Sequence, residues 1–304
     1  MKIVFMGTIE FSVKILDYLF HKYGVELVIS QPNRLKKKNE ILPTEVAKYA
    51  IDNNIKLLQP EKIGDIYEKI KAINPDVLVT AAYGQFIPSK ILNLFKNQIN
   101  VHASILPKYR GGAPIQRSIM NGDKKTGVSI MHMVKGMDAG EVYLCKETEI
   151  LETDNNTSLF KRLADIGVEA LDECFMDIVN GKNLGIPQDE TKVSYAYNIA
   201  PEEEVISFNN NALDIVNKIK GLSLEPGAHF EFKGIKIKVF DASVIEDNSN
   251  NLPGTVLNIK KQILIKAKDK AVSLDLILLP GKKMLSGKDF SNGQKVFSIG
   301  DIIE

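Results

Sequence analysis

Asn100 and His102 stand two residues apart in the run Ile99-Asn100-Val101-His102, and a strand there would put both side chains on one side. A neutral amide donor beside an imidazole suits chemistry on a carbonyl. One can hold a developing oxyanion while the other moves a proton. The same pair would equally serve as two satisfied polar residues of a core strand. A third group, Asp138, lies in Lys135-Gly136-Met137-Asp138-Ala139-Gly140-Glu141, a loop that follows another predicted strand. If the two strands are neighbours, carboxylate and imidazole meet in one crevice, where the carboxylate would orient the ring and favour its charged form. Taken alone, an aspartate flanked by glycines reads as a turn residue. Ser104 and Cys145 are candidate nucleophiles, but neither sits in a G-x-S-x-G elbow or another activating context. Ser104 is expected to hydrogen-bond within its own loop. Direct transfer between two bound substrates is the chemistry this set favours.

These side chains need strands to position them, and the sequence supplies a regular series. Residues 2–6, 25–30 and 76–82 are short apolar runs, the last continuous enough for a strand buried on both faces. Helical patterns over 11–23, 44–53, 63–73 and 89–95 alternate with them, Thr44 serving as an N-cap. The chain then enters the strand ending at His102, breaks at Pro107, crosses Gly111-Gly112 and starts a helix at Pro114. Strands follow at 127–134 and 144–150, and an amphipathic helix at 158–180. This alternation predicts an α/β fold, a Rossmann-like, doubly wound, mostly parallel sheet whose ligands lie beyond the carboxyl ends of its strands. His102 and the loop from Pro107 to Gly112 fall at such an end.

Residues 1–187 are expected to be the catalytic domain and 188–207 a polar linker. A helix at 211–221 carries the stripe Leu213, Ile215, Val216, Ile219. From Ala228 onward, short alternating strands separated by turn residues predict a small β-barrel within a second domain, residues 208–304.

Composition narrows the function classes. A chain of 304 residues with 44% hydrophobic and 25% charged residues is long enough for two cores and ordinary for a soluble protein. A net charge of +1 gives no global pull on nucleic acid, so any such partner needs a local patch. One candidate is the basic run Arg34-Leu35-Lys36-Lys37-Lys38, read as a loop at the same sheet edge as the site. A solvated surface is the plainer reading of that run. Cys145 and Cys174 show neither metal spacing nor a disulfide framework, which fits a reducing cytoplasm. No metal is expected, no apolar run spans a bilayer, and the start reads as folded sequence rather than a signal peptide. Gly7 lacks the second and third glycines of G-x-G-x-x-G, and no P-loop occurs, so nicotinamide and P-loop nucleotide chemistry are disfavoured.

The motif Asn100-x-His102-x-Ser104-x-Leu106-Pro107-x-x-Arg110-Gly111, with Ala113-Pro114-Ile115-Gln116 and Asp138-x-Gly140, resembles the folate-dependent formyltransferases. The resemblance extends to Gly7-Thr8-x-x-Phe11, Gln31-Pro32-x-Arg34, Ala82-Tyr83-Gly84-x-x-Ile87-Pro88 and Leu224-x-Pro226-Gly227-Ala228, and so covers nearly the whole chain. It implies a Rossmann-like first domain and an OB-like second one that binds tRNA. It also implies the reaction: a formyl group moves from 10-formyltetrahydrofolate to the α-amino group of methionine charged on initiator tRNA, for translation initiation. The family's catalytic residues fall on Asn100, His102 and Asp138. Its folate contacts imply Phe86, Ile87, Ser104, Leu106, Pro107, Gly136 and Gly140, and the basic run supplies Arg34, Lys36, Lys37 and Lys38 as the candidate tRNA contacts. The chain is expected to act as a monomer. A formyltransferase acting on an amino sugar nucleotide and a non-enzymatic RNA-binding protein on the same scaffold are the competing readings. Ile9 replaces an expected proline, the loop after Arg34 is lysine-rich, and Phe208 replaces an expected tryptophan. The arginine Arg110 has no assigned role.

Overall fold

The structure, a computed structural model, describes residues 1–36, 40–293 and 296–303. In chain order its elements begin β1 (Ile3–Gly7), α1 (Glu10–Tyr23), β2 (Leu27–Ile29), β3 (Arg34–Lys36), β4 (Glu40–Leu42), α2 (Glu45–Asp52), β5 (Leu57–Leu58) and α3 (Tyr67–Ile73). They continue with β6 (Val77–Ala81), α4 (Ser89–Leu92), β7 (Asn97–His102), α5 (Pro114–Met120), β8 (Lys125–His132), β9 (Val142–Glu149) and α6 (Asn156–Val179). The second half holds α7 (Ala212–Gly221), β10 (Ala228–Phe232), β11 (Ile235–Ile245), β12 (Val256–Asn258), β13 (Ile263–Lys266), β14 (Ala271–Leu278), β15 (Leu285–Ser286) and α8 (Gly287–Gly293).

A seven-stranded sheet in the order β5-β2-β1-β6-β7-β8-β9 carries the first half. The neighbours from β5 through β7 are parallel, and β8 turns antiparallel to β7. Chain direction along the sheet reverses between β1 and β6, the switch point of a doubly wound fold. Every residue of β1 and of β6 is buried, as their unbroken apolar runs require of strands covered on both faces. The helix α2 is capped by Thr44, whose hydroxyl accepts from Ala47 N at 3.1 Å and satisfies one of the free donors of the first turn.

The chain forms two compact units. One comprises Met1–Pro114, Thr126–Thr148 and Phe160–Tyr197; the other comprises Ile115–Lys125, Glu149–Leu159 and Asn198–Glu304. The passage from Tyr197 to Asn198 falls inside the stretch read from sequence as a linker. The second unit is built on an antiparallel sheet ordered β10-β11-β14-β13-β12, with β15 on β14. Its core takes Ile215, Val216 and Ile219 from α7, but Leu213, counted in the same stripe, is 57% exposed. Helical geometry explains the miss, because at about 100° per residue Leu213 lies roughly 110° around the helix from the centre of the face formed by Ile215, Val216 and Ile219. Phe208, standing where tryptophan was expected, is buried with its ring edge-on to Phe230 at 5.4 Å.

The basic run departs from its expected loop. Arg34–Lys36 pairs with Glu40–Leu42 as an antiparallel ribbon, Arg34 opposite Leu42. Lys37 and Lys38 lie outside the described residues. No described helix is long and apolar enough to cross a membrane.

Candidate active site

Parallel pairing of β6 with β7 sets Thr80 opposite Asn100. The Thr80 hydroxyl donates to Asn100 Oδ1 at 2.8 Å and lies 3.3 Å from Met133 Sδ. With its oxygen occupied, the amide presents Nδ2 to Asp138, whose Oδ1 is 3.4 Å away. That contact is long, so the amide hydrogens are available to a third group. Two residues on, His102 is buried and its Nε2 meets the carbonyl of Tyr109 at 2.9 Å. A carbonyl only accepts, so Nε2 carries the hydrogen and Nδ1 is the nitrogen left to take or give a proton. Nδ1 faces Asp138 Oδ2 at 3.6 Å. The carboxylate is aimed in turn by the backbone, since Gly111 N–H donates to Asp138 Oδ2 at 2.9 Å. The strand-end pair and the loop aspartate thus converge within one crevice.

The loops that make this possible are strained. Ala82, Tyr109 and Asp138 have φ of 43°, 64° and 48°, the left-handed region that side-chain-bearing residues enter at a cost. Two glycines permit close approaches that nothing larger could make. A Cβ on Gly140 would sit 2.0 Å from the carbonyl oxygen of His132, and one on Gly111, at φ 125°, would sit 2.7 Å from Ala196 O.

Gln188 completes the arrangement. Its Nε2 donates to the carbonyls of Asp138 at 2.8 Å and Gly140 at 2.7 Å, while its Oε1 accepts from Arg110. Ser194 and Ala196 bond the backbone of Arg110, so residues 188–196 fold against the site loop.

Comparison with known proteins fits this geometry. The family described as "Formyl transferase" matches residues 1–174, and "Formyl transferase, C-terminal domain" matches residues 198–295. The chain is 44% identical to the methionyl-tRNA formyltransferase of Mesoplasma florum, over 100% of this chain and 99% of that protein. It is 43% identical to that of Malacoplasma penetrans, over 98% of this chain and 95% of the relative. The chain belongs to the methionyl-tRNA formyltransferase family. Among solved structures, the N-formyltransferase of Helicobacter canadensis in complex with folinic acid and dTDP-3-aminofucose shares the fold, with a TM-score of 0.69 at 18% identity, covering 90% of this chain and 98% of that one.

As a formyltransferase, the chain keeps its remaining sequence-derived site residues in three distinct settings. Phe86 is 68% exposed, and Gly136 is exposed in a loop with Val134 and Met137, so these offer an open apolar surface. Ile87 and Leu106 are buried and Pro107 is half-buried. Ser104 is wholly buried, and its hydroxyl donates to Lys108 O at 2.6 Å, so it braces its loop from inside. Burial pushes the Cys145 thiol above its ordinary range, which keeps it protonated and unreactive at neutral pH. Among the described residues, no group of three or more His, Cys, Asp or Glu side chains could hold a metal ion.

Sequence reading missed Thr80, Tyr109, Gly111 and Gln188. Thr80 carried a usable signal, being the one hydroxyl in the apolar run Val77-Leu78-Val79-Thr80-Ala81. Tyr109 and Gly111 act through backbone atoms, which leave no mark in residue type.

Proposed function

We propose that this protein moves the formyl group of 10-formyltetrahydrofolate to the α-amino group of methionine carried by initiator tRNA. The observation that carries this reading is the orientation of Asn100, anchored by Thr80 and turned by the Asp138 carboxylate, which only accepts, so that amide hydrogens rather than oxygen face the crevice shared with His102 and Asp138. As the amine adds to the formyl carbon, negative charge gathers on the formyl oxygen of a tetrahedral intermediate. Asn100 Nδ2 and a protonated His102 Nδ1 stabilise that oxygen. Asp138, beside Nδ1, orients the imidazole and accepts the proton shed by the attacking amine, then passes it to the departing folate nitrogen. Phe86, Ile87, Pro107 and the backbone of Gly136 and Gly140 form the pterin-side wall, with Ser104 and Leu106 supporting it from within. No metal enters this scheme.

The first unit is the catalytic one, and the second unit and the basic sequence run Arg34, Lys36, Lys37 and Lys38 hold tRNA. The protein works in the cytoplasm, as a monomer. Replacing Lys36, Lys37 and Lys38 by alanine should raise KM for charged tRNA and flatten its salt dependence. An unchanged salt slope would remove the basic run from the interface.

The deciding experiment offers the protein formyl-labelled 10-formyltetrahydrofolate with either methionyl-initiator tRNA or dTDP-linked amino sugars. Label should appear on the tRNA alone. Transfer only to the sugar, or to neither acceptor, would overturn this reading.

A further inference from the structure

Arg110 is 3% exposed, lies two residues from Lys108 and eight from His102, and so invites the reading that it grips an anionic substrate. Its hydrogen bonds say otherwise. Nε and Nη2 both donate to Gln188 Oε1, at 3.1 and 2.9 Å, while Nη1 and Nη2 reach Glu190 Oε2 and Oε1 at 3.2 and 2.7 Å. Glu190 is held below the usual carboxylate range by that contact with Arg110, so it stays ionised and keeps the guanidinium in place. A guanidinium committed to two protein partners is not poised for a substrate.

The consequence lies one residue further along. An arginine can only donate, so the atom of Gln188 that faces Arg110 must be its oxygen, and the amide cannot flip. Its nitrogen is therefore turned to the carbonyls of Asp138 and Gly140, at 2.8 and 2.7 Å. Those two bonds clamp the backbone that directly follows a left-handed aspartate, the conformation that aims its carboxylate at Asn100, His102 and Gly111 N–H. The backbone of the arginine is fixed as well: its N–H donates to Ser194 O at 2.9 Å, and its carbonyl accepts from Ala196 N at 2.7 Å. Its neighbours on either side supply the Tyr109 carbonyl that holds His102 and the Gly111 N–H that holds Asp138.

We infer that Arg110 and Gln188 form a positioning pair, in which the guanidinium sets the direction of the Gln188 amide and the amide sets the backbone of Asp138. The pair touches no substrate and acts only through the geometry of the aspartate against His102. This inference rests on the catalytic reading of Asp138 and adds to it the residues that hold that group in place. A misplacement of about 1 Å at a reacting group is enough to cost on the order of 10²-fold in rate.

The test compares Gln188→Glu, Arg110→Lys and Asp138→Asn with the unaltered full chain, measuring kcat, KM for each substrate and thermal melting. Gln188→Glu keeps an acceptor for Arg110 but replaces the two donated bonds with oxygens set against carbonyl oxygens. Its kcat should fall about 10²-fold, with both KM values within about threefold and melting little changed. Arg110→Lys keeps the charge but loses the fork, and should lower kcat in the same way by about tenfold. A Gln188→Glu enzyme with undiminished kcat, beside an impaired Asp138→Asn, would overturn the positioning role while leaving the catalytic reading standing. A rise in KM alone, or a loss of stability with normal turnover, would overturn it too. Normal turnover in Asp138→Asn as well would remove the catalytic reading and the inference together.

Discussion

The hydroxyl of Thr80 and the side-chain oxygen of Asn100 meet at 2.8 Å across two parallel strands, residue opposite residue. That bond anchors the amide, and the Asp138 carboxylate, which only accepts and lies 3.4 Å from Nδ2, sets which end looks into the crevice. An asparagine free to rotate would spend part of its time offering oxygen to an oxyanion, which repels rather than stabilises it.

Thr80→Val removes the hydroxyl with little change of shape. It should lower kcat roughly tenfold, the worth of one well-aligned hydrogen bond, while both KM values hold. Asn100→Ala removes the donor itself and should lower kcat on the order of 10²–10³-fold. Steady-state rates on the two variants check this, and equal losses in both would contradict the division between orienting and donating residues.

Gly140→Ala tests the close approach of the aspartate loop to β8. The new Cβ would fall 2.0 Å from His132 O, so the loop must move. Overpacking of this kind costs about 1–3 kcal/mol, and the displaced loop carries Asp138 with it. Chemical denaturation should therefore show lower stability, and turnover per folded molecule should fall as well.

Glu203 gives a pH signature within the second unit. The hydrogen bond from Arg117 pulls its carboxyl down to about 2 from an ordinary 4.5, and the Ala200 N–H adds to this at 3.0 Å. A carboxyl that titrates lower when folded contributes its stability in full above about 4.5 and loses it as pH falls toward about 2. The pair is partly solvent-exposed, so its worth is about 1 kcal/mol or less. Glu203→Gln should lower stability by that amount at pH 7, and the gap to the unaltered protein should close between pH 5 and pH 2. Melting curves across that range check it.

Much of the scaffold was legible because its signals are strong. The unbroken apolar runs of β1 and β6 and the proline that opens α5 each sit where their patterns place them. The Asn100 and His102 spacing was readable for the same reason, since a strand leaves no choice about which side chains share a face. What escaped notice acts at long range or through the backbone. Gln188 sits in a polar stretch that composition alone assigns to a linker, yet it reaches back to Asp138 across 50 residues of sequence. The carbonyl of Tyr109 and the N–H of Gly111 belong to every residue type, so only coordinates reveal that they hold His102 and Asp138. Arg110 was visible as a residue without a role, and its role lies in a partner that the sequence could not supply.

The central claim is that His102, held through Nε2 by Tyr109 and facing Asp138 through Nδ1, helps hold the oxyanion during formyl transfer while Asp138 moves the proton. The most direct measurement is the single-turnover rate of formyl transfer by His102→Ala, with both substrates saturating and their binding measured separately. The rate should fall on the order of 10²–10³-fold while both dissociation constants stay within about threefold. A rate near that of the unaltered protein would contradict the account.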